Sequence, residues 1–124
     1  MAKVFVGGKW ENREVVRKFM DRLVAEGHTI THDWTKNEET TYRAELAIQA
    51  LGDLDGVREA DFSVFIVEDD KVIYRGVLVE MGAALAWGQR VYLLGEAQDS
   101  NIYSNHPNVT TLKNTDAWRA FLGR

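Results

Sequence analysis

Two carboxylates interrupt stretches that are otherwise apolar. Glu80 lies in Gly76-Val-Leu-Val-Glu80-Met-Gly82-Ala-Ala-Leu-Ala-Trp87-Gly88, an alanine-rich segment flanked by the apolar runs Phe62–Val67 and Val91–Leu94. Apolar run, helix and apolar run make one strand–helix–strand unit of a parallel sheet. A carboxylate just past the carboxyl end of a buried strand sits where open α/β sheets place their ligands. Asp53 breaks a second pattern, because Leu46, Ala50 and Val57 form one helical stripe with it at spacings of three and four. A carboxylate on a buried stripe needs a partner or a function.

An ionised carboxylate held beside a sugar can attack the anomeric carbon as a nucleophile. Near a helix N-terminus Glu80 gains roughly 0.3–1 kcal/mol for its charged form, so it is expected to be ionised at neutral pH unless burial opposes this. The alternative is that Glu80 caps its helix or pairs with Arg75 or Arg43, and that Asp53 is a surface residue where the helix frays at Gly52. The carboxyl-edge loops of an α/β sheet would add Gly7, Gly8 and Trp10, then Asp33 and Trp34, then Asp69, Asp70, Tyr74 and Gly76. Carboxylates and aromatic faces with few cations suit a flat ligand bearing hydroxyls, and suit a polyphosphate poorly. The competing readings are that Trp10 and Trp34 are core or rim aromatics and that Asp69 and Asp70 form a solvated loop tip.

The elements that must position these groups follow from periodicity. Val4–Val6 reads as a first strand turned by Gly7-Gly8, although that pair lacks the spacing of a dinucleotide or phosphate loop. Apolar positions from Asn12 to Glu26 recur at helical spacing, with Gly27 as C-cap, and His28–His32 reads as a second strand. A polar loop, Lys36–Thr41, precedes a helix capped by Thr40 or Thr41, in which Gly52 and Gly56 weaken the region around Asp53. Phe62–Val67, Val91–Leu94 and Val109–Leu112 supply three more strands, and Asp116–Leu122 a last helix. The expected architecture is one flavodoxin-like, Rossmann-like α/β domain over residues 1–124: three layers around a five-stranded parallel sheet of order 2-1-3-4-5.

Composition narrows the partners. At 124 residues the chain can bury a core without disulfides or metal, and it has no cysteine. His28, His32 and His106 lack close metal-ligand spacing. A net charge of −4 without a basic cluster argues against nucleic acid. The amino end runs directly into a strand, and no apolar run approaches a membrane span, so a cytoplasmic location is expected.

The residues singled out also carry a resemblance. Asp53-Leu-Asp-Gly-Val-Arg-Glu-Ala-Asp61 followed by a strand and Gly76-x-x-x-Glu80-x-Gly82-x-Ala84 resembles the nucleoside 2-deoxyribosyltransferases and the related 2'-deoxynucleoside 5'-monophosphate N-glycosidases. Val4-Phe-Val-Gly-Gly8, Gly27–Asp33 and Val91–Leu94 extend the likeness over most of the chain. The resemblance implies that Glu80 is the nucleophile at C1' and that Asp53 holds the sugar hydroxyls and the nucleophile in place. It implies a nucleoside or nucleotide substrate, no metal or organic cofactor, and homodimers or larger homo-oligomers in which the neighbouring subunit closes the pocket. The Asn/Ser-rich loop Gln98–Asn108 is the segment expected to reach across. Two positions depart from the family pattern. Tyr74 stands where the family has an acid or a serine six residues before the nucleophile, and Gly8 where the glycosidases have a serine. Both changes remove contacts for a 5'-phosphate, and the first leaves Asp69, Asp70 and Tyr74 as candidates to protonate the leaving base. Transfer and hydrolysis both remain open, as does a binding module that kept the scaffold without turnover.

Overall fold

Why the carboxyl edge is the place for chemistry follows from how the strands are ordered. The computed structural model describes residues 1–69, 71, 74–97 and 101–122. Strands β1 (Lys3–Gly7), β2 (Thr29–Ile30), β3 (Phe62–Ile66), β4 (Arg90–Leu94) and β5 (Val109–Leu112) form one parallel sheet in the order β2-β1-β3-β4-β5, as the sequence predicts. β1 and β3 pair from Val4 opposite Phe62 to Gly7 opposite Phe65, so their carboxyl ends finish level. The crossover after β1 leads outward to β2 and that after β3 leads the other way to β4. The crevice between those two strand ends is therefore the topological switch point of the sheet.

The central strands are buried on both faces, and their sequences are accordingly continuous apolar runs rather than alternating ones. Helices cover both faces. On one, α1 (Arg13–Ala25) turns Val16, Phe19, Met20 and Leu23 inward, and Phe19 meets Trp118 of α4 (Thr115–Leu122) edge to face at 5.7 Å. On the other, α2 (Arg43–Glu59) lies beside α3 (Arg75–Ala86). Gly27 and Gly88, with φ of +96° and +77°, follow the ends of α1 and α3 in the left-handed conformation that suits glycine.

Two expectations shift. The second strand is shorter than His28–His32: Thr29 and Ile30 pair with Lys3 and Val4, while the His28 N–H is taken by Leu23 O at 3.0 Å at the end of α1. The α2 helix starts at Arg43 with Tyr42 as N-cap, and Thr40 acts one turn earlier, its Oγ1 accepting the Tyr42 N–H at 3.1 Å. Of the Gln98–Asn108 loop, residues 98–100 lie outside the described residues, and Ile102–Asn105 forms a short 3-10 turn. No helix among the described residues is long and apolar enough to cross a membrane.

Candidate active site

Asp53 and Glu80 come together at the switch point, from α2 and α3, on the wall of one cavity of about 200 Å³. Gly8, Trp10, Trp34, Asn37, Gln49 and Gly76 complete its lining. Glu80 is in the second turn of α3, and its spacing of four from Gly76 places both on one helix face, with the side chain leaning back toward the helix N-terminus. One Glu80 oxygen, Oε1, would lie 3.1 Å from a Cβ built on Gly7, so the carboxylate rests against the backbone at the end of β1.

The alternative roles for Glu80 find no support in this geometry. The N-cap of α3 is Tyr74, without a side-chain cap bond, and among the described residues Glu80 has no ion pair with Arg75 or Arg43. Nor is Glu80 an ordinary carboxylate. Burial first, then the charge of Asp53 and a hydrogen bond with it, push its pKa up to about 9. Burial also raises Asp53, opposed by the nearby His32 and by the Glu80 hydrogen bond. The two carboxyls thus titrate as a pair that holds a proton at neutral pH, where the helix N-terminus alone predicts an ionised Glu80. Burial wins because the helix-end term is a fraction of a pK unit to about one unit.

A hydrogen-bonded carboxyl pair has a chemical consequence. Glycosidases that use two carboxylates on opposite sides of the scissile bond hold them roughly 5–9.5 Å apart. Asp53 and Glu80 instead line the same wall of one cavity from neighbouring helices, each acting on the charge of the other. One of them can attack while the other orients it and binds hydroxyls.

The aromatic wall is fixed from outside the cavity. Trp34 is buried and donates its indole N–H to Val6 O at 2.7 Å, which pins the ring to the end of β1. Trp10 is held by Arg13, whose guanidinium lies 4.4 Å from the ring centroid. Gly8 admits Val16, whose Cγ2 would be 2.7 Å from a Cβ there, so this glycine serves packing as well as ligand approach. A Cβ on Gly76 would meet nothing within 4 Å.

Two expected contacts are placed differently, and a third lies in the adjoining cleft. Asp33 does not line the cavity. Its Oδ1 accepts the Thr35 N–H at 3.0 Å and the Thr35 hydroxyl, so it builds the turn that carries Trp34. Asp69 likewise closes its own turn, Oδ1 accepting the Lys71 N–H at 2.9 Å. Tyr74 lines the cleft beside the cavity though it is largely buried, and its hydroxyl accepts the Asp69 N–H at 3.1 Å, tying that loop to the start of α3. Burial, its first cause, raises the phenol pKa. Asp70 lies outside the described residues.

The sequence reading also missed residues. Asn37 and Gln49 line the cavity, and His32 stands behind Asp53 with Nε2 3.4 Å from Oδ1. The signal for His32 was the glycine pair in α2: a Cβ at Gly52 would lie 3.1 Å from His32 Cε1 and Nε2, and one at Gly56 2.8 Å from His32 Cβ. These glycines make room for the imidazole, at a helix cost of roughly 1 kcal/mol each relative to alanine.

A second cleft, of about 630 Å³, opens from the first across Gly8, Trp10 and Gly76. Lys9, Lys71 and Arg75 line it, with Glu11 the single acid among the described residues and 3.5 Å from Lys9. The expectation of few cations is therefore corrected: they gather beside the carboxylate cavity and not within it.

Residues 2–116 match the family model of the nucleoside 2-deoxyribosyltransferases, and the chain belongs to that family of enzymes. No curated protein matches it in sequence. Among solved structures it is similar to the CMP N-glycosidase BcmB of Clostridium botulinum, with a TM-score of 0.65, 16% identity and 98% of each chain covered. It is also similar to a 2-deoxyribosyltransferase of Bacillus psychrosaccharolyticus, with a TM-score of 0.68 and 16% identity over 94% of this chain and 90% of that one. At such identity these likenesses speak for the fold.

Proposed function

We propose that this enzyme cleaves or transfers at the N-glycosidic bond of a nucleoside through a covalent glycosyl-enzyme on Glu80. The observation that carries the reading is that Glu80 and Asp53 line one cavity at the switch point, beside an aromatic wall that suits a base or sugar ring. A Glu80 oxygen forms a bond to C1' as the bond from C1' to the base nitrogen breaks, and the base departs with that electron pair. Asp53 orients Glu80 and accepts hydrogen bonds from sugar hydroxyls. Water or a second base then attacks C1' and releases Glu80, giving hydrolysis or transfer.

A nucleotide substrate is favoured over a free nucleoside by one observation, the cations Lys9, Lys71 and Arg75 in the adjoining cleft. They offer an anionic substituent a place that the missing family serine would otherwise supply. The named activity of the similar CMP N-glycosidase points the same way.

We read the working form as a homodimer or larger homo-oligomer acting in the cytoplasm. The first half of α2 exposes Leu46, Ile48 and Leu51, the last at 64%, and α3 exposes Val79 equally. An apolar groove of about 220 Å³ lined by Ala50, Leu54 and Val79 leads from this face to Asp53 and Glu80, so a second copy seated there would close the site. The decisive experiment incubates the protein with paired nucleosides and 5'-monophosphates and follows base release by chromatography, with intact-mass analysis for a glycosyl adduct. Base release from neither series, at any enzyme concentration, rejects the reading.

A further inference from the structure

The imidazole of His32 is built into the fold more deliberately than a chance neighbour of Asp53 would be. Its Nε2 and the facing Asp53 Oδ1 are both shielded from solvent, they lie 3.4 Å apart, and neither completes a hydrogen bond there. Two glycines one helical turn apart leave the notch that holds the ring: a side chain at Gly52 would strike Cε1 and Nε2, and one at Gly56 would strike Cβ and the Phe5 ring of β1. The Asp53 carboxyl in turn shares the wall of the cavity with Glu80. The order of groups is imidazole, carboxyl, carboxyl, from the sheet side of α2 to the cavity. Asp33, the chain neighbour of His32, directs its carboxylate to Thr35 and Lys36 instead.

We propose that His32 is a positioning residue for the Asp53–Glu80 pair, taking up the proton that the two carboxyls otherwise share so that Glu80 can meet C1' as a carboxylate. This rests on the glycosyl-enzyme reading of Glu80. Two adjacent carboxyls in a buried site do not both ionise when no cation is close. If the shared proton moves from the pair to Nε2, the cluster becomes an imidazolium and two carboxylates with its total charge unchanged. No proton has to enter from or leave to solvent for Glu80 to become a nucleophile, and Asp53 lies between the two charges it must balance. The His32–Asp53 separation is short enough for this exchange after a movement of a few tenths of an ångström.

The test is the pH profile of kcat in His32→Gln and His32→Phe, beside Glu80→Gln. Removing the imidazole leaves the pair to lose its proton to solvent. The expected result is a fall in kcat of tenfold or more near neutral pH, little change in KM, and an acid limb of the profile moved up by about one pH unit or more, in both variants. A lower Tm with kcat and profile unchanged would mean that His32 only fills its notch, and would overturn the proposal. If both variants fail to fold, imidazole resonances of the wild type, assigned through His28→Gln and His106→Gln, replace the kinetics. The His32 titration is then expected to shift in Glu80→Gln, and an unmoved titration overturns the proposal. Full activity in Glu80→Gln would reject the glycosyl-enzyme reading itself. An inactive Glu80→Gln beside a wild-type-like His32→Gln would reject this inference alone.

Discussion

Gly7 and Glu80 leave no space for a side chain between them: a Cβ at Gly7 would stand 3.1 Å from Glu80 Oε1 and 2.5 Å from Cδ1 of Phe65. Phe65 is fully buried in β3 and cannot move aside. Gly7→Ala is therefore expected to cost about 1–3 kcal/mol by overpacking, and to displace Glu80 in whatever protein remains folded. Chemical denaturation with parallel assays of base release checks this. A variant with wild-type stability and activity would show that Gly7 does not hold the carboxylate.

Gly76 is the complementary case, since a Cβ there meets nothing within 4 Å and would project toward the carboxylate cavity and the cationic cleft. Gly76→Ala should keep or raise stability, because alanine is favoured over glycine in a helix by about 0.8–1 kcal/mol. Gly76→Leu should fold as well and block the passage between the two cavities. We expect KM to rise tenfold or more in the leucine variant with Tm unchanged or higher. Unimpaired binding would move the substrate away from this face of α3.

Lys9 and Arg75 are expected to separate nucleotide from nucleoside. Neutralising both, as Lys9→Gln with Arg75→Gln, should raise KM for a 5'-monophosphate by roughly tenfold or more while leaving the matched nucleoside within about twofold, since one charge-assisted contact is worth ~1.5–3 kcal/mol. Equal effects on both substrates would assign the cations to solubility or packing.

Much of this site was legible in the sequence, and the reasons differ residue by residue. The parallel order was readable because β1, β3 and β4 are continuous apolar runs separated by helical periods, and Glu80 and Asp53 were readable because each breaks an apolar pattern. Asp33 and Asp69 were misplaced for a local reason: short acids at loop starts bond their own backbone two residues on, a pull that the residue type signals but does not weigh against a ligand. Gly52 and Gly56 were read as weak points of a helix, when their lack of side chains is what admits His32. The clustering of Lys9 with Lys71 and Arg75 was not singled out, because Lys9 follows β1 whereas Lys71 and Arg75 belong to the connection from β3 into α3, and the sheet edge brings the two segments together. Where the exposed apolar half of α2 finds cover is likewise absent from a single chain's sequence.

The exposed face predicts an assembly that can be broken from outside the site. Leu51→Glu puts a charge on an apolar surface without touching Asp53 or Glu80. Sedimentation should show wild type as a dimer or larger, and the variant shifted toward monomer with activity lost in proportion. A monomeric wild type with full activity would exclude a neighbour's part in the site.

The raised pKa of Glu80 predicts an unusual dependence of stability on pH. In the unfolded chain Glu80 loses its proton near its ordinary 4.5, whereas in the folded protein it keeps it up to about 9. Between those values the native state binds more protons than the unfolded one, so stability falls as pH rises across this window and levels off above it. Below pH 4.5 both states are protonated and Glu80 contributes no slope. Asp53, raised as well, adds to the decline in the same direction. Glu80→Gln has the shape of the protonated acid and no proton to lose. It should match or exceed wild-type stability near pH 8 and flatten the curve, while turnover falls by roughly a thousandfold or more because an amide is not a competent nucleophile. Denaturant titrations at several pH values, on the same preparations used for base release, measure both. A wild-type stability that rises with pH across this window would mean that Glu80 is ionised and stabilised where it stands, and that the burial which dominates its environment has been offset by a group not yet identified.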